Sequence, residues 1–186
     1  LASIEEQGKL TEELRVQIIN AQTLVAVEDL YRPYRPKRRT RATIAKEKGL
    51  ESLATLLMLQ KIQKPLEEEA QKYISAEKEV HTVEEAIAGA KDILAETVSD
   101  EADYRSFIRN LTVKEGKMIS SAKDDSVQSV YEMYYSFEEP VSRLAGHRIL
   151  ALNRGEKEKI LNVKIEAPEE KILQYLEKKI IVSENP

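Results

Sequence analysis

The chain of 186 residues has no cysteine, no tryptophan, two phenylalanines, six glycines and six prolines. Without cysteine there is no disulfide framework and no thiolate metal site, which accords with a reducing cytoplasm. So few glycines and prolines argue against a sandwich or barrel, whose many turns consume those residues. No apolar run approaches the roughly 18 residues of a membrane span, and no charged-then-apolar leader opens the chain. His81 and His147 stand far apart, outside any His-x-x-x-His pattern, so no metal or other cofactor is expected. No Gly-rich phosphate loop or Gly-x-Ser-x-Gly elbow occurs, and no catalytic constellation is visible. The first residue is Leu rather than Met, so the chain is expected to be a fragment of a larger protein.

What the sequence does contain is charge, at 33% of residues, with 41% apolar content and a net charge of −4. One segment runs against that acidic balance. Tyr31 to Arg41 carries six cations (Arg32, Arg35, Lys37, Arg38, Arg39 and Arg41), two tyrosines and two prolines, with no acid. Of 29 Lys and Arg against 33 Asp and Glu, these six leave the rest of the chain at 23 against 33. A local concentration of cations suits a phosphate backbone or an acidic partner surface.

The periodicity predicts a mainly α, multi-helical fold with one short strand or hairpin near 160–166. Ser3-Ile-Glu-Glu6 and Thr82-Val-Glu-Glu85 read as capping boxes, and Gly8 stops the first turn. Thr11 caps a helix with Leu14, Ile18, Ala21 and Val25 on one face, ending near Tyr31 because Pro33 and Pro36 push the chain out of the helical region. The basic segment is thus expected as an extended loop. Thr40 or Thr43 restarts a helix that Gly49 ends, Leu50 to Leu59 forms another, and Pro65 opens a third with Leu66, Ala70, Tyr73 and Ile74 inward. The helix after Thr82 puts Ala86, Ile87, Ala90 and Leu94 on its apolar face. Ser99 or Asp100 caps the next, which breaks at Gly116. Ser120 to Asp125 reads as an exposed polar stretch, and Val127, Val130, Tyr131 and Tyr134 as a helical face ended by Pro140. Residues 142–154 lean to helix, Leu161, Val163 and Ile165 form the inward side of a strand, and Pro168 starts a last helix.

Two readings of the basic segment follow. In one, Arg32, Arg35, Lys37, Arg38, Arg39 and Arg41 contact phosphates while Tyr31 and Tyr34 offer faces to bases. In the other, the arginines pair with acidic helices, the tyrosines pack as core, and the prolines stiffen a crossover. The runs Glu67-Glu68-Glu69 and Asp124-Asp125 read as solvated faces rather than paired catalytic carboxylates, because adjacent residues on a helix point different ways.

Glu28 to Ala45 followed by Lys48-Gly-Leu50, then Ala86 to Glu96, then His147 to Glu156, together resemble the N-terminal helical region of the bacterial Tex family of transcription accessory proteins. Gly146 stands where that family usually has Ser before the His. The resemblance implies a cytoplasmic nucleic-acid-binding protein linked to transcription, with RNA or DNA, its own further domains and the transcription machinery as partners. It implies that residues 1–186 are an N-terminal and central helical fragment, lacking the family's RNase H-like, helix-hairpin-helix and OB-fold domains. It also implies that nucleic-acid binding rests chiefly on that OB-fold, and that this region has no catalytic residues.

Overall fold

In the computed structural model, which describes residues 1–183, helix ends follow the local signals closely. The first helix, α1 (Ala2–Glu6), stops at Gly8, whose φ of +65° is open to glycine at little cost. Gly8 N–H donates to the Glu5 carbonyl and Lys9 N–H to the Ile4 carbonyl, the paired bonds of a Schellman motif. Gly49, at φ +78°, ends α4 (Arg41–Glu47) in the same way and sends Leu50 into the core. Thr11, Thr23, Thr40 and Thr82 each accept a backbone N–H three residues on, at 3.0–3.2 Å, and so start α2 (Glu12–Asn20), α3 (Leu24–Tyr31), α4 and α7 (Val83–Asp100). Between Gly49 and Thr82 lie α5 (Glu51–Leu59) and α6 (Leu66–Ala70).

The chain divides into two units. The first comprises residues 1–106 and 176–183. Its core is formed where α4, α5 and α6 pack on α7, through Ala45, Leu50, Leu53, Ala70, Ala86, Ala90 and Ile93. Alanines at 86 and 90 and Gly89 let the helices approach closely: a Cβ on Gly89 would lie 2.4 Å from Leu50 Cδ1 and 3.3 Å from the Ala45 Cβ. Leu94 is only half-buried, because Ile93 occupies the inner position. Ile74, expected inward, is exposed, whereas Ala70 is buried.

The second unit runs from Phe107 in α8 (Ala102–Glu115) to Tyr175 in α10 (Glu169–Ile180). It holds a three-stranded antiparallel sheet in the order β2-β1-β3, built of β1 (Lys117–Ala122), β2 (Ser136–Pro140) and β3 (Leu161–Glu166). One face of the sheet packs with α9 (Gly146–Lys157) around Leu152, Leu161, Tyr131 and Tyr134. Ser120 pairs with Phe137 on one side and Val163 on the other, and its buried hydroxyl donates to the Tyr134 carbonyl at 2.6 Å.

Several sequence expectations are corrected. Ser3 lies inside α1 rather than capping it, and its hydroxyl meets Tyr31 Oη at 3.1 Å. The helix expected from Thr11 to Tyr31 is two helices, because Thr23 offers a second cap and Ala21 turns extended. Val25 is consequently exposed. Asp100 ends α7 and points to cations instead of capping α8. Of the stretch expected to be exposed, Ser120 to Ala122 lie in the central strand with Ser120 buried, while Lys123 to Asp125 are exposed as expected. Residues 127–135 form turns and a 3-10 helix (Glu132–Tyr134), with Val130 86% exposed, rather than a helical face. The strand at 161–166 and α9 are as expected, although Ile165 is exposed. Gly146 opens α9 without a side-chain cap.

The C-terminal turn of α9 holds Lys159 at φ +62°, where glycine is favoured. Lys159→Gly is expected to stabilise the unit by about 0.5–1 kcal/mol, after subtracting glycine's unfolded-state entropy. A denaturant melt that shows no gain would place the left-handed strain elsewhere.

Candidate nucleic-acid interface

The basic segment is pinned at several points within the first unit. A 3-10 turn covers Arg32–Tyr34, and the chain then runs extended until Thr40 caps α4. The Tyr31 hydroxyl meets Ser3, and the Gln7 amide donates to the Tyr34 carbonyl at 2.9 Å, so α1 holds the start of the segment. Helix α7 holds the rest through Asp92, Glu96 and Asp100, carboxylates four residues apart on one helical face.

Asp100 is the deepest of these acids, its side chain 10% exposed. One of its oxygens accepts from Arg32 Nε at 2.9 Å and the other from Lys37 Nζ. Lys37 also lies 3.4 Å from Glu96, which accepts from the Thr40 hydroxyl at 3.0 Å. Arg41 approaches Asp92 at 3.6 Å and Arg39 approaches Glu47 at 3.0 Å, with arginine side chains 87% and 70% exposed. Exposed pairs of this kind contribute about 0–1 kcal/mol, so these two arginines can exchange partners readily. Arg35 and Arg38 are exposed and have no acidic partner among the described residues. Nearby, Arg105 Nε binds the buried Asp29 at 2.7 Å, securing α3 beside the segment.

The eight residues singled out by sequence therefore separate by role. Tyr31, Arg32 and Lys37 are engaged internally, Tyr34 is half-buried and held through its carbonyl by Gln7, and Arg35, Arg38, Arg39 and Arg41 remain wholly or largely presented to solvent. A cleft of about 650 Å³ opens between the segment and α7, lined by Arg35, Arg38 and Arg41 on one wall and Asp92, Glu96 and Asp100 on the other. The acidic stripe was missed by sequence reasoning. Its spacing was legible, but nothing local to it names the cations it meets some sixty residues away.

Elsewhere, a hydrogen bond from the His81 backbone holds the Glu85 carboxyl below the usual carboxylate range. That contribution to stability is present above the ordinary Glu range and is lost as pH falls through the lowered value. Among the described residues no three His, Asp or Glu side chains gather to hold a metal ion, and no helix is long and apolar enough to cross a membrane.

Comparison with known proteins adds a family. The family model described as Tex central region-like matches residues 61–184. The protein YdcI of Bacillus subtilis, described as uncharacterized, is 52% identical over 181 residues, covering 96% of this chain and 25% of its own length. Protein tex of Bordetella pertussis is 40% identical over 169 residues, 89% of this chain and 21% of its own. The Transcriptional accessory protein Tex of Neisseria gonorrhoeae is 38% identical over 165 residues, 88% of this chain and 21% of its own. The chain thus spans a quarter or less of the length of these relatives.

Proposed function

The chain belongs to the Tex family, and we propose that its 31–41 segment supplies an auxiliary contact to nucleic-acid backbone within a cytoplasmic transcription accessory protein, with no catalytic step. The observation that carries this reading is the division of labour in the segment. Arg32 and Lys37 lock it onto Asp100, and that lock presents Arg35 and Arg38 outward without acidic partners among the described residues. Arg39 and Arg41, in weak exposed pairs, add two cations that a phosphate can capture. The name of the Neisseria relative, which speaks of transcription, supports the setting. A relative's remaining length leaves ample chain for other nucleic-acid contacts and for docking to transcription proteins.

The rival reading is a scaffold that docks the other domains, with the segment as an internal strap. It is favoured by the four cations that do meet carboxylates. Titrating the 186-residue chain with single-stranded and duplex oligonucleotides over a salt series separates the two. In Arg35→Ala/Arg38→Ala the dependence of log affinity on log salt for single strands should flatten by about 1.4, at about 0.7 per phosphate contact, with the melting temperature unchanged. All sequences should weaken alike, because phosphate contacts carry no base identity. An unchanged slope would retire the nucleic-acid role and leave the scaffold.

A further inference from the structure

Residues 33–37 of the segment also border a second cleft, of about 720 Å³, to which cations are added from other parts of the chain. Lys9 and Lys46 line it together with Arg35, and all three are exposed with no acidic partner among the described residues. Backbone geometry places Lys9: the Gly8 Schellman turn reverses the chain after α1, the helix that also pins the Tyr34 carbonyl. Lys46 stands on α4, whose cap Thr40 closes the segment.

The charge balance of this cleft is cationic once internal pairs are counted. Glu96 and Asp100 are engaged by Thr40, Lys37 and Arg32, which leaves Glu101 as the carboxylate facing three cations. Tyr34 also lines the cleft. Its hydroxyl has no partner among the described residues, unlike that of Tyr31, so its side chain is held only by its backbone and neighbours. Arg35 borders both clefts, so a strand lying along the first meets the same cation at the edge of the second.

We infer that this second cleft is a binding subsite for a phosphodiester strand, in which Lys9 and Lys46 hold phosphates and the Tyr34 ring stacks on an unpaired base. The inference rests on the proposed reading of the 31–41 segment and extends it to residues outside that segment. Stacking demands a base face that a duplex does not expose, so the Tyr34 contribution is confined to single strands.

The test is a salt-series titration of the 186-residue chain with single-stranded oligothymidylate and with a duplex. Lys9→Ala/Lys46→Ala should lower the single-strand slope by about 1.4 with no change in melting temperature. Tyr34→Leu should weaken single-strand binding roughly tenfold at every salt concentration, with the slope and the duplex affinity unchanged. Tyr34→Phe keeps the ring and should bind as the parent does, which guards against a folding defect in the leucine variant. Parent-like binding by both Lys9→Ala/Lys46→Ala and Tyr34→Leu, with a flattened slope in Arg35→Ala/Arg38→Ala, overturns this subsite and leaves the proposed function standing. Loss of affinity in Tyr34→Phe overturns the stacking role. Absence of any salt-dependent binding by the parent overturns the subsite and the proposed function together.

Discussion

Replacing Arg32 and Lys37 together by alanine should destabilise the first unit by roughly 2–4 kcal/mol, the largest effect expected of any change in the basic segment. Both oxygens of Asp100 are satisfied by these two side chains, and the carboxylate is only 10% exposed. Removing the cations leaves a buried charge without compensation, and it is this exposed penalty, more than the lost attraction, that lowers stability. The expected loss sits toward the low end for buried pairs because the Arg32 side chain is itself 45% exposed and partly screened. Arg39→Ala/Arg41→Ala removes the same number of cations from exposed pairs and should change stability by less than about 1 kcal/mol. Adding Asp100→Asn to the Arg32→Ala/Lys37→Ala background should recover most of the loss, because a neutral amide no longer needs a counter-charge. Urea melts of these variants beside the parent decide the matter. A loss below about 0.5 kcal/mol, or no recovery on adding Asp100→Asn, would mean that the segment is not locked through this carboxylate.

A second large effect is expected where α7 meets α4 and α5. Leu50 is 1% exposed, and its Cδ1 lies 2.4 Å from where a Cβ on Gly89 would stand. Leu50→Ala should cost about 2–5 kcal/mol by leaving a cavity. Gly89→Ala should cost about 1–3 kcal/mol by overpacking, since Ala45 blocks the other direction at 3.3 Å. The double variant should be less destabilised than the two losses added, because the new methyl enters the space that Leu50 vacates. Additivity within about 0.5 kcal/mol would show that the helices separate instead of repacking.

How far sequence reached depends on the range of the interaction. The caps at Thr11 and Thr82 and the stops at Gly8 and Gly49 were legible, and the cap of α4 was narrowed to Thr40 or Thr43, because each is settled within a few residues by a side-chain oxygen or a positive φ. The strand at 161–166 showed itself through alternation, a period of two that needs no knowledge of its neighbours. Strands β1 and β2 did not, because Lys117-Met-Ile-Ser-Ser-Ala and Ser-Phe-Glu-Glu-Pro140 have little alternation of their own. They are strands because Ser120 finds Phe137 and Val163 across the ladder.

The same distinction governs the candidate site. That six cations cluster between Tyr31 and Arg41 was written in the sequence, and so was the stripe Asp92, Glu96, Asp100 at helical spacing. Which cations the stripe would neutralise was decided only when the segment docked on α7, pairing Arg32 and Lys37 with a carboxylate more than sixty residues away. Docking likewise set Tyr31 against Ser3 and brought Lys9 and Lys46 beside Arg35. Composition and local spacing determine how much charge a segment carries. The amount left facing solvent is a property of the fold, because each pairing depends on a distance of a few ångströms between groups remote in the chain.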